Sequence, residues 1–184
     1  MSEVSYKKEI QLRKSDFLKT SNYLELEKLI EPKNLEDYLK PEEVLLVEGL
    51  CESGKTKLLM YLTRLALNNN KHLLFISVGA KTIKEELVAR FKDNGIDVSN
   101  MNLLTLYVSE KHYEFITELI KNTLKGHIIV IDDFSNLEVN HLEEVKILKE
   151  LAKEYELTIW CSAISKEENT YTEYVDSLIS IEDW

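Results

Sequence analysis

The chain is expected to form a single α/β domain built on a mostly parallel sheet of about five to six strands, with helices on both faces. Three observations predict this. Short apolar, β-branched runs alternate with segments whose apolar residues recur at helical spacing, the pattern of strands joined by crossover helices. A glycine loop, Gly49-Leu-Cys-Glu-Ser-Gly54-Lys55-Thr56, lies between one such run and one such segment and fits G-x-x-x-x-G-K-[ST], the loop that cradles nucleotide phosphates. The length of 184 residues, 44% of them hydrophobic, suffices for one well-cored domain and not for two of ordinary size.

In chain order, residues 1–19 are polar and mixed in charge, with Lys7, Lys8, Arg13 and Lys14 as a weak basic cluster, and are expected to form a flexible or docking arm. Residues 20–184 form the domain. Leu24, Leu26, Leu29 and Ile30 follow the capping candidates Ser21 and Asn22 and precede Pro32, which predicts a short helix. Val44 to Val47 is the strand entering the glycine loop. Leu58, Leu59, Leu62, Leu65 and Ala66 mark the helix leaving it. A second buried strand spans 72–78 and ends at Gly79; Ile83, Leu87, Val88 and Phe91 then define an amphipathic helix closed by Asn94-Gly95. A third strand at 103–108 and a helix carrying Ile116, Leu119 and Ile120 lead to Ile128-Ile-Val-Ile-Asp132-Asp133. Val145, Leu148 and Leu151 mark a further helix, followed by strands at 157–162 and 178–181.

The chemistry assigns roles within the loop. Glycines let backbone N–H groups close around a phosphate, a lysine reaches the β- and γ-phosphates, and the next hydroxyl ligates Mg²⁺. The nucleotide-binding candidates are therefore Gly49, Glu52, Ser53, Gly54, Lys55, Thr56 and Lys57, with ATP and Mg²⁺ as the expected ligands. Asp132 ends a fully apolar strand 77 residues after Lys55 and is the expected second Mg²⁺ contact beside Thr56.

The net charge is −10, from 33 acidic and 23 basic residues, so the overall field repels nucleic acid. Weak or indirect nucleic-acid contact is expected, and a protein partner or a second copy of the chain is the better expectation. No run of 18 apolar residues occurs and residues 1–9 lack an apolar signal core, which predicts a cytoplasmic protein without membrane association. Cys51 and Cys161 show no metal spacing, and neither do His72, His112, His127 and His141.

With both halves of the site in hand, residues 20–184 resemble the RecA-like ATPase domain of DnaB-type replicative helicases. Thr20 to Ile30 resembles that family's preceding helix, and Leu39 to Val47 its approach to the loop. Leu73 to Gly79 with Glu85 to Phe91 resembles its second motif, and Glu144 to Tyr155 with Thr158 to Ser162 its later helix and sensor strand. The resemblance implies a RecA-like P-loop NTPase and an accessory or regulatory part in DNA replication or recombination.

Where the family carries a catalytic glutamate after the second strand, this chain has Gly79. Where its sensor strand ends in glutamine, this chain has Ala163. Family members supply an arginine finger from beyond the last strand, whereas no arginine follows Arg90 here. ATPase activity is thus expected to be weak or partner-dependent. Two substitutes are candidates: Asp133 as the group that positions water, and Lys166 as a lysine finger in an oligomer. The loops that face DNA in the family, 134–141 and 165–172 here, hold one lysine and three glutamates, a poor phosphate track. Two other readings stay open: an AAA+ helicase loader, suggested by the Asp132-Asp133 pair, and a non-catalytic interaction module with a vestigial phosphate loop.

Overall fold

The structure is a computed structural model, and it describes residues 8–14, 39–79, 84–106, 112–137, 141–164 and 174–182. Its centre is one sheet of seven strands, all parallel: β1 (Lys8–Arg13), β2 (Val44–Gly49), β3 (Leu73–Val78), β4 (Asn102–Leu106), β5 (Ile128–Asp132), β6 (Thr158–Ile164) and β7 (Ser177–Glu182). They lie in the order β1-β7-β2-β6-β5-β3-β4. Among the described residues, four α-helices lie between strands: α1 (Lys55–Asn68), α2 (Lys84–Asp93), α3 (His112–Lys121) and α4 (His141–Glu154).

The strand count exceeds the expected five to six because part of the anticipated arm joins the sheet. Lys8–Arg13 pairs with β7 in parallel register, from Lys8 opposite Ser177 to Arg13 opposite Glu182. Ile10 and Leu12 alternate with polar residues, the period of a half-buried strand. Leu12 is buried in the core beside Leu45, Val47 and Ile179. The expected helix over 20–30 lies outside the described residues.

Helices cover both faces, as a sheet buried on both sides requires. α1 and α2 lie on one. Leu58, Leu59 and Leu62 of α1 are fully buried, each stabilising the fold by about 1.5–3 kcal/mol relative to an exposed side chain. Leu87 and Phe91 of α2 join the same core, and Phe91 meets Phe75 of β3 edge to face at 5.0 Å. Ile116 and Ile120 of α3 pack on the opposite face with Val145, Leu148, Leu151 and Ala152 of α4. No helix among the described residues is long and apolar enough to cross a membrane.

Strand alternation divides the described strand side chains between these faces. In β2, Leu45 and Val47 belong to the α1 side, Val44 and Leu46 to the α4 side. In β5, Val130 faces α1, while Ile129 and Ile131 face α4. In β6, Trp160 faces α1, while Cys161 and Ala163 face α4. The same alternation turns Asp132 and Ser162 toward α1 and the glycine loop.

At the opposite, N-terminal edge of the strands, Asp176 acts as a clamp. Its Oδ2 accepts from the Val44 N–H at 2.9 Å and its Oδ1 from Lys149 Nζ at 2.8 Å. The Asp176 N–H donates in turn to the Val44 carbonyl at 3.0 Å. Nearby, Thr158 Oγ1 donates to the Lys40 carbonyl at 3.0 Å.

Candidate phosphate-binding site

The loop that follows β2 depends on its glycines for steric and conformational reasons. A Cβ on Gly49 would lie 2.4 Å from Ser53 Oγ and 3.1 Å from the Ile181 carbonyl oxygen, so the loop closes against β7 only without a side chain there. Gly54 sits at φ 99°, in the left-handed region that favours glycine, and turns the chain directly into α1. No side chain caps the start of α1, and its first turn contains no acidic residue. The amides there are left to an anionic ligand, and the helix dipole favours one.

Lys55 is buried, with Nζ donating to the carbonyls of Gly49 at 3.1 Å and Leu50 at 2.8 Å. The ammonium is thus held inside the loop by neutral acceptors. Ser53 Oγ is also buried and has no hydrogen-bond partner among the described residues. A closed glycine cradle, an uncapped helix start and a lysine paired only with carbonyls all fit a bound phosphate.

Behind the loop, Thr56 Oγ1 donates to Asp132 Oδ2 at 2.8 Å, which joins the two residues expected to hold Mg²⁺. Ser162 Oγ donates to Asp132 Oδ1 at 2.7 Å and accepts from the Asp133 N–H at 2.8 Å. Asp132 is 2% exposed. Burial, and secondarily the adjacent Asp133 charge, push its carboxyl up from 3.8 to about 6 against the pull of the Ser162 and Thr56 hydrogen bonds and of Lys55. A carboxylate held like this gains from a cation, and one carboxylate with one hydroxyl suits Mg²⁺, which takes its remaining ligands from water and phosphate.

Asp133 has left-handed backbone, φ 60°, and lines the cavity above the loop. Burial raises its carboxyl and the charge of Lys55 lowers it.

The cavity has a volume of about 700 Å³, within the usual range for small-molecule sites. Glu52, Gly54, Lys55, Thr56 and Lys57 line it together with Cys51 and Asp133. Gly49 and Ser53 lie buried within the loop below. Lys166 lies outside the described residues. Gly79, directly after β3, has φ 71° and no side chain to offer an attacking water. Ala163 is buried on the α4 face, turned away from the loop.

Ser162, Arg90 and Asn94 are polar residues of the site that the sequence reading did not single out. Ser162, next to Ala163, is the β6 side chain that meets Asp132, a consequence of which strand face it occupies. Arg90 on α2 and Asn94, the residue directly after that helix, line the cavity. Their i, i+4 spacing on an amphipathic helix was legible, but not the direction in which that edge points. Elsewhere, His72 and His127 stack with ring centroids 5.1 Å apart, and no group of three or more His, Cys, Asp or Glu among the described residues could hold a metal.

No family model matches this sequence, and no curated protein matches it either. Among solved structures, the chain is similar to the flagellar accessory protein FlaH from Methanocaldococcus jannaschii, with a TM-score of 0.59 and 16% sequence identity over 76% of this chain and 70% of that one. FlaH is a RecA-like domain, and this likeness together with the parallel sheet and its flanking helices establishes a RecA-like α/β fold for the chain.

Proposed function

We propose that this protein binds Mg²⁺–ATP in the loop Gly49 to Thr56 and hydrolyses it slowly when alone. The observation that carries the reading is the convergence of Lys55, Thr56, Asp132 and Asp133 on one cavity, with the Thr56–Asp132–Ser162 hydrogen bonds fixing the carboxylate behind the loop. Thr56 and Asp132 would hold the metal, which supplies charge neutralisation on the phosphates. Lys55 supplies the loop's cation. Asp133 is the carboxylate of the cavity suited to orient water, and its burial raises its proton affinity toward that of a useful base.

Slow turnover follows from Gly79. A general base contributes about 10²–10⁴ in rate; β3 ends without one, and Asp133 replaces it only in part. A partner or a second copy of the chain then completes the site. This supports an accessory or regulatory ATP-binding role rather than that of a motor. The order of the DnaB-like segments in the sequence favours DNA replication or recombination as the process served. FlaH, itself named an accessory protein, favours the accessory part of the reading. With a net charge of −10, the partner is a protein surface rather than nucleic acid.

The test is a thermal shift with Mg²⁺–ATP on the wild type and Lys55→Ala. The wild type should gain stability with ligand concentration and the variant should not. Equal responses, or none, would overturn the assignment. Steady-state phosphate release should lie well below ~1 s⁻¹, the low end of ordinary enzymes. Fluorescence anisotropy with single-stranded DNA tests the partner class: submicromolar, salt-sensitive binding would contradict it.

A further inference from the structure

We propose that Arg90, on α2 of the same chain, contacts the terminal phosphate of the bound nucleotide and makes the site distinguish a nucleoside triphosphate from the diphosphate. This rests on the nucleotide reading of the loop and adds a residue that the loop motif does not contain. The orientation of α2 is fixed by its buried edge. Leu87 and Phe91 enter the core, and Phe91 is locked edge to face against Phe75. Arg90 and Asn94, one turn apart, are thereby directed to the flank beside α1. Asn94 Nδ2 donates to the Arg90 carbonyl at 2.7 Å and lies 4.0 Å from Met60 Sδ on α1. Both residues line the 700 Å³ cavity that Lys55, Thr56 and Asp133 also line.

The state of the guanidinium supports the assignment. Arg90 is exposed, and its side chain has no hydrogen-bond or ion-pair partner among the described residues, whereas Arg13 and Arg64 both have interactions. Among the described residues the Arg90 guanidinium has no carboxylate partner, and it lines the phosphate cavity, so its donors are open to phosphate oxygens. Its planar fork matches phosphate oxygens as an ammonium does not. Lys55 and the metal-binding pair also engage a diphosphate, Lys55 through the β-phosphate that both ligands carry. A cation from α2, outside the loop, is the group that answers only to the added phosphate. The arginine that the resemblance places beyond the last strand thus has a counterpart in cis.

The test is calorimetric titration of the full chain with Mg²⁺–ADP and with Mg²⁺–adenylyl imidodiphosphate, a non-hydrolysable triphosphate. The wild type should prefer the triphosphate. Arg90→Ala should weaken triphosphate binding by about 10- to 100-fold, the range for a charged hydrogen bond, and change diphosphate binding by less than about 2-fold. Arg90→Lys should restore part of the preference, and the thermal midpoint of the unliganded variants should match the wild type. An unchanged affinity ratio in Arg90→Ala, or equal loss for both ligands, overturns the role of Arg90 while leaving the nucleotide site standing. If the wild type binds neither ligand and behaves as Lys55→Ala does, the nucleotide reading falls and this inference with it.

Discussion

Asp132 and Asp176 stand at opposite edges of the same sheet, and the protein treats their carboxylates differently. Asp176 accepts from a backbone N–H and from a lysine, so both of its oxygens are occupied by donors, one of them cationic. Asp132 is more deeply buried and, among the described residues, receives only two neutral hydroxyls, while the neighbouring lysine is turned to carbonyl oxygens. One edge is finished for stability. The other keeps an ionisable group at a raised proton affinity, an arrangement that is unfavourable until a cation arrives.

The sharpest way to test this contrast is Asp132→Asn. The rise from 3.8 to about 6 limits the contribution of its ionisation to about 3 kcal/mol, at 1.36 kcal/mol per unit. The variant should be more stable than the wild type at pH 7, by about 1–3 kcal/mol in urea unfolding, yet lose the Mg²⁺-dependent part of nucleotide binding. A destabilised variant would show that Asp132 is a structural residue like Asp176.

The pH dependence follows with its sign. Between about pH 4 and 6 the folded chain holds a proton on Asp132 that the unfolded chain has released, so ionising Asp132 lowers stability. The advantage of Asp132→Asn should therefore be full above about pH 6 and disappear as the pH falls toward 4. A difference that does not change with pH would place its origin outside that carboxyl.

At the other edge, Asp176→Ala leaves the Val44 N–H and Lys149 without their acceptor. We expect a loss of about 1.5–3 kcal/mol, with nucleotide affinity within about 2-fold of wild type. A loss of nucleotide binding at temperatures where the variant remains folded would join the two edges into one functional unit. The smallest effect is expected for Ser162→Ala, which removes the donor to Asp132 and the acceptor of the Asp133 N–H. It should cost about 1 kcal/mol and weaken Mg²⁺–nucleotide binding modestly. No change in either measurement would show that Thr56 alone positions the carboxylate.

The residues legible in the sequence are those whose role is local. Gly49, Gly54, Lys55 and Thr56 act through a contiguous loop, and Asp132 announces itself at the end of an apolar run. Lys8–Arg13 was less legible because its pairing partner lies about 170 residues away and only Ile10 and Leu12 carry the strand period. Ser162 and Ala163 differ only in which face of β6 they occupy, so the residue that meets Asp132 is decided by strand alternation within the sheet. Arg90 was passed over for a related reason. An exposed arginine on an amphipathic helix reads as surface until the orientation of that helix is known.

The place of β2 in the sheet also governs when the site can exist. Its two neighbours are β6 and β7, the strands farthest along the chain, so the strand that carries the phosphate loop lies unpaired while the residues between are being made. Such long-range parallel pairing is slow to form because loop closure precedes the contacts that reward it. Gly49 closes against the carbonyl of Ile181, which ties the loop's shape to β7 itself. In a refolding experiment, uptake of a fluorescent nucleotide should therefore track the slowest phase. Uptake in an early phase would show that the loop is shaped before its strand has neighbours. A ligand that arrives this late cannot guide the chain toward its fold, and can act only to retain molecules that have already completed it.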